Sequence, residues 1–136
     1  MKRLLFYATL IVLANCALTL WHLIVLSNLQ PGLTSSRVAL FAILVNLVPF
    51  TSLVLMWMRR PQIGAWLLIL ILGVGFAIGT YTHLVRPGPD NVFQMAPGEW
   101  AWPFRLTATL LLVIEALGCW VGISVARSND HASETS

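Results

Sequence analysis

From Val38 to Met58, and again from Ile63 to Leu84, this chain runs without one charged residue, and the run from Leu4 to about Leu26 has none either. A fourth apolar run, Phe104 to Ala126, carries Arg105 at its start and Glu115 in its middle. About 20 apolar residues in a helix span the hydrocarbon core of a bilayer. No water is present there to bond peptide groups, so each crossing segment must satisfy its own N–H and C=O groups as a helix. Four such runs in 136 residues leave room for short connections and for no separate soluble domain. Composition agrees: 58% of residues are hydrophobic and 10% charged, against about 25% charged in soluble domains. The sequence predicts an all-α integral membrane four-helix bundle, up-down-up-down, with both termini on the same side. It reads as a single membrane domain over 1–136, with helices at about 4–26, 38–58, 63–84 and 104–126, an outer loop at 85–103 and a disordered tail at 127–136.

A formal net charge of +3 would fit a nucleic-acid binder only if the cations formed a stripe. They sit instead singly or in pairs at the ends of the apolar runs, where Lys and Arg set topology. With the N-terminus in the cytoplasm, Lys2, Arg3, Arg59, Arg60 and Arg127 are inside and Arg37, Arg86 and Arg105 outside, so both doublets are cytoplasmic. The expected location is the cell membrane, multi-pass, with both termini cytoplasmic. The lipid bilayer is the expected partner, with a homo-oligomer or a larger membrane complex beside it and no nucleic acid.

Local signals punctuate the runs. Met1-Lys2-Arg3 before an apolar stretch resembles a signal peptide, and Leu13-Ala14-Asn15-Cys16 a lipoprotein cleavage box. The apolar run continues through Trp21, however, so the segment is expected to stay uncleaved. Ser27 to Gly32 carries turn residues, and Ser35 and Ser36 are suited to cap the next helix. Pro49 is expected to kink the second helix. Arg59-Arg60-Pro61-Gln62 is so short that spans two and three must be antiparallel neighbours, with proline in the first helical turn. Trp100 and Trp102 are expected at a membrane edge, as is Trp57 at the inner one, because indole has an apolar body and one donor. Cys16 and Cys119 fall in apolar runs without a CxxC pattern and are expected as free, buried thiols.

A polar group in hydrocarbon needs a partner, which makes Glu115, Asn15 and Asn46 the informative positions. No helical run supplies a Lys or Arg near Glu115, and Arg105 is about 15 Å away along the same helix. The carboxyl is expected as the neutral acid, either bonded to a neighbouring helix or serving as a proton- or cation-coupled site. Asn15, Asn46 and Glu115 fall at similar depth, so they either share one hydrogen-bond cluster or join separate helix pairs. His22 and His83 lie near the outer ends of spans one and three. Two histidines on different helices can ligate haem axially, as in membrane b-type cytochromes. Asn15, Thr19 and His22 share one face, and Gly75, Gly79 and His83 another. The competing reading has interfacial histidines bonded to loop carbonyls or water, with the glycines serving close helix packing. That reading is the stronger, so no cofactor is predicted, and zinc lacks a third ligand. Gly118 and Gly122 form a second GxxxG, on the face of Glu115.

No nucleophile constellation and no phosphate-cradling loop are present. The chain therefore reads first as a non-enzymatic subunit or packing partner in a membrane assembly. A small proton-coupled transporter or permease centred on Glu115 is the second reading, and a haem-binding redox subunit using His22 and His83 the third. The small multidrug resistance transporters are similar in length and also embed one glutamate. Theirs lies in the first span, where this chain has Asn15, so their activity is not carried over. DoxX-like proteins are similar as compact four-span bundles, without a shared motif.

Overall fold

The computed structural model describes residues 2–30, 35–58 and 60–134, with the backbone alone for 35–39, 41, 44 and 129–134. Four α-helices follow one another, α1 (Lys2–Leu29), α2 (Ser35–Trp57), α3 (Pro61–Thr80) and α4 (Ala101–Glu134), and no strand occurs among the described residues. The segments Lys2–Leu29, Pro61–Val85 and Ala101–Ser128 are each long and apolar enough to cross a membrane. In α2 the apolar stretch among the described residues is Val45–Trp57. The side chains of Ser35 and Ser36, expected as caps, lie outside the described residues. α4 runs on to Glu134, where a disordered tail was expected from residue 127. Extending a formed helix adds one hydrogen bond per residue and needs no new nucleus.

α4 packs against α1 and α3, and α2 against α1 and α3. Glycines set the closest approaches. A Cβ on Gly64 would collide with the backbone carbonyl of Ser52 and with Met56, so α2 and α3 touch nearly backbone to backbone. Gly118 lies under Leu72 and Ile11, and Gly122 under Ile69 and the Ala65 carbonyl. The face of Gly118 and Gly122, which the sequence assigns to close packing, is thus occupied by this chain's own helices. Pro49, buried inside α2, cannot donate to the preceding turn, and Ser52 Oγ donates to its carbonyl at 2.6 Å. Leu40, Ile43 and Leu47 on α2 and Ile63, Trp66 and Leu70 on α3 face outward, more than half exposed, as lipid-facing side chains do.

Pro61 stands in the first turn of α3 as expected. At the far end that helix widens into a π-helical turn, Tyr81–Val85, closed by the Arg86 N–H donating to Tyr81 O at 2.7 Å. Pro87 explains the stop, since the residue before a proline is pushed out of the α region; Arg86 is extended, with φ −69° and ψ 125°. The connection 86–100 then folds back over the bundle end. Asn91 is its hub: Nδ2 donates to Arg86 O at 3.1 Å, and Oδ1 accepts from Phe93 N–H at 2.9 Å. Gly88, at φ +154°, supplies the backbone that L-residues rarely adopt. Val92 donates to His83 O at 2.9 Å and joins Val25, Phe104 and Ala108 in a small apolar cluster of its own. Trp100 packs on that cluster, while Trp102 is 69% exposed. Near the chain termini, exposed Trp57 donates its indole N–H to Thr9 Oγ1 at 3.3 Å.

Candidate functional site

Along the inward face of α1, apolar Leu5, Ala8 and Val12 give way to Asn15, Thr19 and His22, which are 1%, 6% and 7% exposed. Spacings of four and three residues put all three on one helix face. The face of α4 opposite carries Thr107, 2% exposed, and Glu115 eight residues later. Ile11 lies against Gly118 and His22 against Thr107, a register in which Asn15 stands level with Glu115. α3 contributes Gly75, Gly79 and, in the π turn, His83. A buried polar file therefore descends from the loop end of the bundle to Glu115.

At its top the rings of His22 and His83 meet edge to face, centroids 5.3 Å apart at 75°. Phe104 touches both, at 5.0 and 5.4 Å. Hydrogen bonding fixes the tautomer of His83. His83 Nδ1 lies 3.0 Å from Asp90 O, and a carbonyl only accepts, so Nδ1 carries the proton. Thr107 Oγ1 lies 2.9 Å from Pro103 O and 3.1 Å from Phe104 O, and 2.8 Å from His22 Nδ1. Neutral His83 therefore keeps Nε2 as a base. The haem reading of His22 and His83 does not fit this arrangement: a macrocycle ligated by both must lie between them, and rings in direct contact leave it no room. No group of three His, Cys, Asp or Glu suited to a metal occurs among the described residues.

Glu115 rests half-buried on the glycine surface of α3. A Cβ on Gly75 would stand 2.6 Å from its Oε1, and one on Gly79 3.8 Å from its Oε2. Glycine at 75 is what leaves room for the carboxyl. One turn along, Cys119 Sγ–H points to Ile69 O at 3.8 Å, and both cysteines are free. Asn15, Asn46 and Glu115 share no hydrogen bond among the described residues. Asn46 Nδ2 donates to Ala42 O of its own helix at 2.6 Å. The Oδ1 atoms of Asn15 and Asn46 and Oγ1 of Thr80 are buried without a partner. A carbonyl of the same helix is always within reach of an asparagine four residues on, and α2 takes that solution at Asn46.

Sequence reasoning missed Thr107, Phe104 and Asp90. Thr107 was readable in principle, since it lies eight residues from Glu115 and so shares its helix face. Asp90 offers His83 its backbone carbonyl and accepts Gln30 Nε2–H at Oδ1, 2.6 Å away. Neither contact leaves a trace in residue type or spacing. Comparison with protein-family models, with characterised proteins and with solved structures gave no match.

Proposed function

We propose that this is a small proton-coupled membrane protein, a transporter or permease, in which Glu115 takes up and releases the proton. One observation carries the reading: a single carboxyl sits at the inner end of a buried polar file, in a space that only Gly75 leaves open. A charge that deep is costly, and where it occurs it marks ion or proton pathways. The parts needed for proton delivery are in sequence. His22 and His83 stand at the loop side of the file, and the Thr19 hydroxyl and Asn15 amide line the way inward. The Glu115 carboxylate is the acceptor, and losing the proton regenerates it. An assembly role rests on the lack of a catalytic set and on glycine faces, of which those of Gly118 and Gly122 are covered by Leu72, Ile69 and Ile11; Glu115 is the stronger basis.

The proposal includes the topology. Four crossings alternate in direction, both termini are cytoplasmic, and the file opens on the outer face of the cell membrane. A cysteine introduced at Gln94 that reacted from the cytoplasmic side would reverse that orientation. The functional test is proton flux into vesicles containing the purified chain under an imposed potential, with and without Glu115→Gln. Flux is expected to fall about a hundredfold, the scale of losing one proton-transfer group, while helix content and melting are unchanged. A wild-type rate in the folded variant sinks the proposal.

A further inference from the structure

We infer that a groove beside Arg105 binds the phosphate of a membrane phospholipid at the loop end of the bundle. Lys2, Arg3, Arg60, Arg86 and Arg127 are all exposed, whereas Arg105 is half-buried. A guanidinium is a cation with no acceptor of its own, and withdrawing a charge from water is costly unless an anion meets it. Among the described residues its contacts are neutral. Nη2 donates to Met95 O at 3.1 Å, and Nε is buried without a partner. The groove, about 350 Å³, is lined by Val92, Phe93, Arg105 and Thr109, with no carboxylate among them. Thr109 already donates its hydroxyl proton to Arg105 O at 2.8 Å and offers an anion nothing.

Position and wall chemistry identify the occupant. Arg105 lies one turn into α4 from exposed Trp102, and tryptophan marks the headgroup level. Phosphate is the anion concentrated there, and the guanidinium fork can grip two of its oxygens. Phe93, 77% exposed, and Val92 give apolar walls that suit the glycerol and first methylenes of a lipid and do nothing for a free ion. This inference stands apart from the proton reading and from Glu115.

The test uses the full chain, purified in mild detergent and stripped of lipid, with bound lipid counted by native mass spectrometry. The probes are phosphatidylglycerol, a phosphate-free galactosyl diacylglycerol and inorganic phosphate. Phosphatidylglycerol is expected to bind and the galactolipid not. Arg105→Gln should weaken retention about tenfold, the loss of one charge-assisted contact, whereas Arg127→Gln, an exposed cation near the other end, should change nothing. Arg105→Lys keeps the charge without the fork and should fall between. Phe93→Ala should weaken lipid binding with Arg105 intact, which keeps the test decisive if Arg105→Gln misfolds. Equal retention by the folded Arg105 variants, equal binding of the galactolipid, or displacement of the lipid by inorganic phosphate would each overturn the inference.

Discussion

Between Leu5 and Val12 the inward face of α1 packs into an apolar cluster, while between Asn15 and His22 the same face meets a hydroxyl, an imidazole and the level of a carboxyl. Near the termini, Leu53 and Met56 of α2, Ala65 and Leu68 of α3, and Val121 and Val125 of α4 close one continuous core. There α2 meets α3 at Gly64, and α3 meets α4 at Gly122. Toward the loop, polar groups line the interior and a second apolar cluster caps it. The difference teaches where access ends. Side chains without polar atoms can pack to crystal-like density and exclude water. A face of amide, hydroxyl and imidazole keeps unmet acceptors that favour it. On the proposed proton reading, a path from the loop would stop at Glu115, and a through-path would require α3 to move against α4 along the glycine surface where the carboxyl rests.

The most direct way to break this contrast is to measure water access on the two sides of Asn15. In a background with Cys16 and Cys119 replaced by alanine, a cysteine at Thr19 should react with a water-borne thiol reagent and a cysteine at Val12 should not. Equal reactivity would erase the distinction. Next in size are two glycine substitutions that look alike in sequence. Gly64→Ala puts a methyl into a backbone carbonyl that cannot step aside, and a loss of about 3 kcal/mol is expected in a denaturation series. Gly75→Ala meets only the end of the Glu115 side chain, which can swing away. Stability should change by less than about 1 kcal/mol, yet proton flux should fall because the carboxyl is displaced. If the two variants melt alike, the glycines do not divide into seal and site. Smaller still, Thr107→Val removes the hydroxyl that His22 bonds, at a cost of about 1 kcal/mol, and spectra of the His22 ring should report its altered tautomer. Last, Asn15→Leu removes a buried oxygen that has no partner and should raise stability by about 1 kcal/mol while lowering flux. A loss of stability there would mean that Asn15 is satisfied and belongs to the packing.

Much of the fold was legible because lipid leaves the chain few choices. Charge-free runs dictated helices, Pro61 fell at a helix start, and Pro87 ended the helical path after α3. The site was legible only as a set of names. His22 and His83 were placed at similar depth on two helices, and the structure brings their rings into contact, with Phe104 against both. Asn46 was grouped with Asn15 and Glu115 by depth, and depth says nothing about whether an amide bonds its own helix first. The GxxxG pairs announced close packing without saying onto what, because a small-residue face fits an internal helix and a second chain equally well.

By itself, then, the sequence determined the helices and the apolar length that lets them cross a membrane. The free energy of leaving peptide groups unbonded in hydrocarbon depends on composition and run length, both of which are local. Tertiary structure alone decided that His22 and His83 touch, that Gly75 makes room for Glu115, and that the polar file ends there. Those are relations between residues far apart in the chain, fixed by how α1, α3 and α4 meet, and meeting surfaces are a property of packed shape that no one-dimensional pattern encodes.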